Sequence, residues 1–368
     1  MLGHKRIPSR EGGIEIVVDE LSTRMVALKH SVTVFNRKGK HVAGGTTEHV
    51  KEYKGVRIVK VPTLDRKGLA AFSSAFFSSL YAGFGKYDVV HIHAEGPAFF
   101  AFIPKLCGKK VVVTIHGLDW QRAKWGRFAS WMIKTGEKNA VKYADEIIVL
   151  SRGAKEYFWN EYKRKTVFIP NGVNRPEKRE AKIIAEKFGL QIDEYVLFLG
   201  RIVPEKGEHY LIKAWKEIDT DKKLVIAGGI SDTVGYGNEL KELAENDKRV
   251  IFTGFVQGRE LEELYSNCYI YCLPSDLEGM PLSLLESMSY GNCCLVSDIK
   301  ECTEVIEDKA VTFEKSNVED LKEKIKWLID HKNKVEKYRS EAADFICKKY
   351  SWDEVVEKTL RIYKGIGG

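Results

Sequence analysis

Short runs of β-branched residues alternate with amphipathic helical stretches along the whole chain, in two successive sets. This alternation of a two-residue with a 3.6-residue period dictates parallel α/β units. The first set of expected strands covers residues 31–35, 56–61, 89–93, 110–116, 146–150 and 166–169. The second covers 195–199, 223–227, 250–252, 270–273, 293–296 and 310–313. Between the sets, the turn Pro170-Asn171-Gly172 and the polar stretch 174–180 read as an interdomain linker. The expected fold is α/β, two doubly wound parallel-sheet domains facing a cleft, with ligands beyond the carboxyl ends of the strands. The assigned boundaries are 1–173, 174–350 and a terminal segment 351–368, whose amphipathic helix starts after Ser351 as cap.

The chain's 368 residues suffice for two domains with separate cores. Its seven cysteines are scattered without a zinc-like pair of pairs, which reads as free thiols in a reducing cytoplasm. No apolar run reaches the roughly 18–20 residues of a membrane span, and no signal-peptide core follows Met1, so a soluble cytoplasmic protein is expected. The net charge of +7 hides an asymmetry: residues 1–180 carry 32 Lys and Arg against 17 Asp and Glu, and the remainder carries 27 against 35. A basic first half faces something anionic. No nucleic-acid motif accompanies the charge, so nucleic acid is excluded as partner and an anionic lipid surface is expected. Only Met1-Leu2-Gly3 precedes the basic loop 4–10. Most of a first strand is thus expected to be missing, absent outright or lost to a late start, leaving its neighbours short of a partner.

Two stretches carry chemistry. In the first, Ser275-Asp276-Leu277-Glu278-Gly279-Met280-Pro281 follows a strand and enters a helix at about Pro281. Proline suits a helix start, and the open amides of Leu282 and Ser283 then form an anion site. Glu286, eight residues after Glu278, is placed to accept from the vicinal hydroxyls of a ribose. In the second, Gly200–Gly207 leaves the strand 195–199 and carries Arg201 and Lys206 to its carboxyl end. Paired cations there suit a diphosphate whose charge grows as a bond breaks.

In order and spacing these stretches resemble the retaining family 4 glycosyltransferases of GT-B fold, over nearly the whole chain. The other landmarks are Gly12-Gly13, Thr114-Ile115-His116-Gly117, Ile169-Pro170-Asn171-Gly172-Val173, Ala227-Gly228-Gly229 and Thr253-Gly254-Phe255-Val256. The resemblance implies that Arg201 and Lys206 bind the donor diphosphate, that Glu286 holds the ribose and that Phe255 and Val256 read the base. It further implies that Glu278 and His116 face the donor sugar, that Gly13 gives it close backbone approach, and that the last helix crosses back to the N-terminal domain. The implied activity is metal-independent transfer of a hexose from a nucleoside-diphosphate sugar to a glycan or lipid-diphosphate-linked acceptor, with no cofactor. The segment 4–15 is also similar to rhamnosyltransferase-type members that build surface polysaccharides. Against the family pattern, residues 28–31 lack a glycine often found before the second strand.

Several sharper motifs give way. Asp219-Thr220-Asp221 has the Asp-x-Asp metal spacing but lies at the amino end of its sheet. His91 and His93 alternate on one strand without an evident third ligand, and are expected as satisfied strand-end histidines. Gly228-Gly229 lacks the dinucleotide spacing, which excludes an oxidoreductase. Residues 120–134 and 69–84, rich in aromatics, are expected either at a lipid interface or in the core. A sugar-nucleotide epimerase and a non-catalytic protein of the same fold stay open as rivals.

Overall fold

The computed structural model describes residues 1–38, 50–64, 69–118, 120, 127–229, 234–245 and 247–365. Residues 121–126 of the basic aromatic segment 120–134 lie outside the described residues. Two compact units form, Met1–Asn171 with Trp352–Gly368, and Gly172–Ser351.

The first unit's strands are β1 (Thr33–Arg37), β2 (Glu52–Tyr53), β3 (Val56–Val61), β4 (Val89–His93), β5 (Lys110–Ile115), β6 (Glu146–Val149) and β7 (Val167–Phe168). Its helices are α1 (Gly13–Ala27), α2 (Leu69–Phe84), α3 (Glu95–Ala98), α4 (Phe102–Leu106), α5 (Arg127–Tyr143) and α6 (Arg152–Tyr162). All pairings are parallel except β2 on β3. That hairpin turns through Lys54 and Gly55, both at positive φ, as a tight two-residue turn requires.

The curtailed first strand survives as a stub. Leu2 donates its N–H to His91 O and accepts from His93 N–H, while Phe35 donates to Met1 O. Met1 and Leu2 thus lie between β1 and β4 and join the two ladders. The order β3-β1-stub-β4-β5-β6 is the doubly wound 3-2-1-4-5-6, with the stub as strand 1. Leu2 is wholly buried among Ile92, Val113 and Ile115.

The second unit holds β8 (Tyr195–Leu199), β9 (Lys223–Ala227), β10 (Val250–Gly254), β11 (Ile270–Leu273), β12 (Cys294–Ser297) and β13 (Val311–Phe313). Around them pack α7 (Ile183–Phe188), α8 (Glu208–Lys216), α9 (Val234–Ala244), α10 (Gly258–Asn267), α11 (Leu282–Ser289), α12 (Lys300–Ile306), α13 (Val318–Asp330) and α14 (Lys332–Lys349). The sheet is all parallel in the order β10-β9-β8-β11-β12-β13, again 3-2-1-4-5-6. The order reverses between β8 and β11, so the crevice at their carboxyl ends is where a ligand binds in such sheets. Leucine, isoleucine and valine on both faces bury the central strands β8, β9, β11 and β12 almost completely, whereas the edge strand β10 is only half-buried.

The last helix, α15 (Trp352–Tyr363), belongs to the first unit. Asp353 pairs with Arg24 of α1, Lys110 Nζ donates to Ile362 O (2.5 Å), and Tyr363 OH meets His91 Nδ1 (2.6 Å). All seven cysteines are free thiols, five of them buried.

Candidate functional site

The two chemistry-bearing loops of the second unit leave β8 and β11, the strands flanking the reversal. Three contacts lock them together. Asp276 N–H donates to Glu205 O (2.9 Å). Gly207, at φ 74°, passes so close that a Cβ there would lie 2.0 Å from Pro274 O. Lys206 Nζ donates to Glu278 Oε1 at 2.5 Å, and Ser275 Oγ donates to the same oxygen at 2.6 Å. Lys206 and Glu278 are 14% and 8% exposed, so the pair sits in a crevice rather than in open solvent.

Arg201 lies half-buried on the same loop, which is stitched to its neighbours across the sheet edge. Gly200 N–H donates to Ala227 O, Gly228 N–H to Gly254 O, and Ile202 N–H to Gly229 O. A Cβ on Gly228 would lie 1.8 Å from Gly200 O, so only glycine admits this approach. The same stitching brings in Phe255 and Val256: Phe255 is 40% exposed and packs over Gly229, while Val256 is buried.

Pro281 stands as the N-cap of α11, one position earlier than expected, and no side chain caps the helix. The first intrahelical bonds to Pro281 O come from Leu284 and Leu285, so the amides of Leu282 and Ser283 point out of the helix tip. Tyr271 ties that tip to β8, donating to Ser283 Oγ (2.8 Å) near Leu199 O (3.4 Å). Tyr265 OH reaches Glu286 Oε2 at 3.4 Å and Ser283 O at 3.3 Å. Lys206, Glu278, Ser283 and Glu286 therefore share one sheet edge with Arg201 and Phe255.

Two further candidate residues lie in the first unit. Gly13 is not in a loop, as its place among the landmarks suggests, but is the exposed first residue of α1, with Gly12 as N-cap. His116 follows β5, and burial holds its imidazole neutral, with its pKa lowered to about 3. Its Nε2 lies 3.1 Å from His93 Nδ1. His93 stacks on His91 with ring centroids 4.2 Å apart.

Sequence reasoning missed Ser275, Tyr265, Tyr271 and His93 as supports, and it missed Glu208. The Tyr and Ser residues look like core positions in a linear reading. The His-x-His alternation was the one available signal, and its third member stands 23 positions further on. The wholly buried Glu208 accepts from Tyr236 OH (3.1 Å) and Val203 N–H (3.4 Å), and burial pushes its pKa up to about 8. No group of three His, Cys, Asp or Glu suited to a metal ion occurs among the described residues, Asp219-Thr220-Asp221 included.

Comparison with known proteins adds independent findings. The family model described as Glycosyl transferases group 1 matches residues 180–362, and that described as Glycosyltransferase Family 4 matches residues 11–175. An uncharacterised glycosyltransferase of Methanocaldococcus jannaschii is 27% identical, covering 97% of this chain and 95% of its own. An Escherichia coli UDP-Gal:alpha-D-GlcNAc-diphosphoundecaprenol alpha-1,3-galactosyltransferase is 29% identical over 70% of each chain. Among solved structures, Anabaena HepE in complex with UDP and glucose has a TM-score of 0.81 at 16% identity, covering 97% of each chain.

Proposed function

This chain belongs to the family 4 glycosyltransferases of GT-B fold, and from that premise we propose that it moves a hexose from a nucleoside-diphosphate sugar to a hydroxyl of a glycan or lipid-linked acceptor, with retention and without a metal. The observation that carries the reading is the convergence at the reversal of the second sheet: a mostly buried cation on one loop, an uncapped helix tip and a carboxylate on the next.

In this reading Arg201, Lys206 and the Leu282 and Ser283 amides hold the diphosphate. Because they are fixed before reaction, they favour the charge that develops as the bond from the sugar's anomeric carbon to the diphosphate oxygen breaks. The acceptor oxygen bonds that carbon on the face the diphosphate leaves, and its proton passes to the departing phosphate oxygen. Glu286 holds the ribose, and the backbone at Phe255 and Val256 takes the base. Glu278, His116 and Gly13 are assigned to the transferred sugar. A uridine base is the first to test, because the Escherichia coli relative's name specifies UDP-galactose.

The acceptor side carries its own signature. Helix α2 has no charged residue, and it buries its small ones, Ser73, Ser74, Ala75, Ser78, Ser79, Ala82 and Gly83. Phe72 and Phe76 pack on Phe99 and Phe100, but at the end of the helix the apolar residues turn outward: Tyr81 is 46% and Phe84 80% exposed, beside Leu106 at 78%. Lys86, Lys105 and Lys109 lie close by in the chain. No described helix is long and apolar enough to cross a membrane. We read this face as lying on an anionic lipid surface, where a lipid-linked acceptor and a part in surface polysaccharide synthesis would place it.

Thermal-shift screening against UDP-, GDP-, ADP- and dTDP-sugars tests the donor assignment, since a ligand bound to the folded state raises Tm. One class of donor should raise Tm, and adding EDTA should leave the shift intact. No shift with any donor would remove the reading, and donor conversion without an acceptor would favour an epimerase.

A further inference from the structure

His93 and His116 share one hydrogen bond, His93 Nδ1 to His116 Nε2 at 3.1 Å. Burial holds both rings neutral, His93 well below the usual range and His116 at about 3. A neutral imidazole has one N–H and one bare nitrogen, so only one ring donates across this contact. If His116 Nε2–H donated, His93 would carry its proton on Nε2. That nitrogen is buried and has no hydrogen-bond partner among the described residues. The result would be an orphaned buried N–H, the rarer and more costly kind of unpaired polar group. If His93 Nδ1–H donates instead, the bare lone pair of His93 Nε2 is what goes unpaired.

The His93 ring has little freedom to escape this choice. It stacks on His91, whose two nitrogens are both engaged, Nε2 with Thr114 Oγ1 (2.7 Å) and Nδ1 with Tyr363 OH (2.6 Å). The backbone that carries the ring is pinned by the stub, which runs so close that a Cβ on Gly3 would meet His93 O at 2.2 Å. The last helix and β5 thus hold the His91 ring on which His93 stacks, and the first three residues hold the His93 backbone.

We propose that His93 is a positioning residue that fixes His116 as its Nδ1–H tautomer, so that His116 presents a hydrogen-bond donor, and not a base, to an oxygen of its substrate. The functional half of this statement rests on the assignment of His116 to the transferred sugar; the tautomer itself does not. A donor there polarises a sugar oxygen and cannot take the acceptor's proton, which agrees with that proton leaving on the diphosphate.

The test uses the full chain with ¹⁵N-labelled histidine, read by long-range ¹H–¹⁵N correlation near pH 7.5, with His116 assigned through His116→Gln. The expected spectrum shows a protonated Nδ1 and a bare Nε2 for His116, the tautomer that free histidine favours less. His93→Leu should shift His116 toward Nε2–H and lower kcat by about 10–100-fold, on the scale of losing the partner that orients a functional histidine, with a much smaller change in donor KM. His93→Asn, whose amide nitrogen sits where Nδ1 does, should restore both the tautomer and most of the rate. A wild-type His116 protonated on Nε2, or one that titrates above pH 6, overturns the proposal. The expected tautomer with undiminished kcat in His93→Leu leaves the tautomer standing and removes the assignment of His116 to the sugar.

Discussion

Lys206 Nζ lies 2.5 Å from Glu278 Oε1 across two loops whose sequences are 72 positions apart. The pair is mostly buried, so removing either partner leaves the other's charge without its counter-ion. Lys206→Ala should lower kcat/KM by about 10²–10³, or roughly 3–4 kcal/mol, as for loss of a preorganised donor. It should also lower Tm, because the Glu278 carboxylate is left buried without its cation. Combining it with Glu278→Gln should recover most of the Tm and none of the turnover. Recovery of turnover would show that Lys206 serves only to neutralise Glu278.

Gly207 holds the same two loops together at a positive φ, with no room for a Cβ against Pro274 O. Gly207→Ala should destabilise the second unit by about 1–3 kcal/mol, the range for a strained backbone position. Its larger effect should be on donor affinity, because the cation loop must back away from the helix tip. Isothermal titration with the nucleotide diphosphate reads this directly, and unchanged affinity would mean that the loops need not touch.

The fold was largely legible, for a physical reason. Parallel strands buried on both faces are largely apolar runs, and residues 89–93, 195–199, 223–227 and 270–273 match β4, β8, β9 and β11 to the residue, while the half-buried 56–61 matches β3 through its β-branched residues. The antiparallel β2 escaped because two residues show no periodicity. The stub escaped because a single bridged residue, Leu2, has no pattern at all and owes its place to the strands beside it. At the candidate site, Lys206 and Glu278 were legible singly, as chemistry at the end of a strand. Their contact was not, nor that of His93 with His116, because both depend on which strands are neighbours in the sheet.

Glu208 gives the second unit a pH dependence. Its folded pKa of about 8 stands above the ordinary value of 4.5, through burial. A raised folded pKa means that its contribution is fully present below pH 4.5 and is lost as pH rises through 8. Glu208→Gln should therefore gain stability relative to the parent as pH increases from 5 to 9, with the difference levelling off above pH 8. Urea unfolding across that range measures it; a difference independent of pH would show that Glu208 is ionised in the folded protein.

Phe84 and Leu106 project from packed helices, with Gly83 set against Ile103, Pro104 and Cys107 behind them. Phe84→Ser with Leu106→Ser should abolish co-sedimentation with phosphatidylglycerol vesicles at low salt while leaving Tm nearly unchanged, since neither side chain is buried. Retained sedimentation would place the lipid contact elsewhere, and loss of Tm would show that the face is part of the core.

Ala94 follows His93 at the end of β4, with φ 78° and ψ 158°, a region that essentially only glycine occupies. Its N–H nevertheless donates to Thr114 O at 2.9 Å and its side chain is buried, so the surrounding sheet imposes the conformation. Strain of this kind costs about 1–3 kcal/mol, and glycine would relieve it at an entropic cost of about 0.5–1 kcal/mol. Ala94→Gly should therefore stabilise the first unit by about 1 kcal/mol, raising Tm by roughly 2–4 °C. If the strain serves to hold His93 against His116, the same variant should lower kcat several-fold despite its greater stability. An unchanged or lower Tm would show that the backbone at Ala94 is not strained, and with it would go the link between this turn and the imidazole pair.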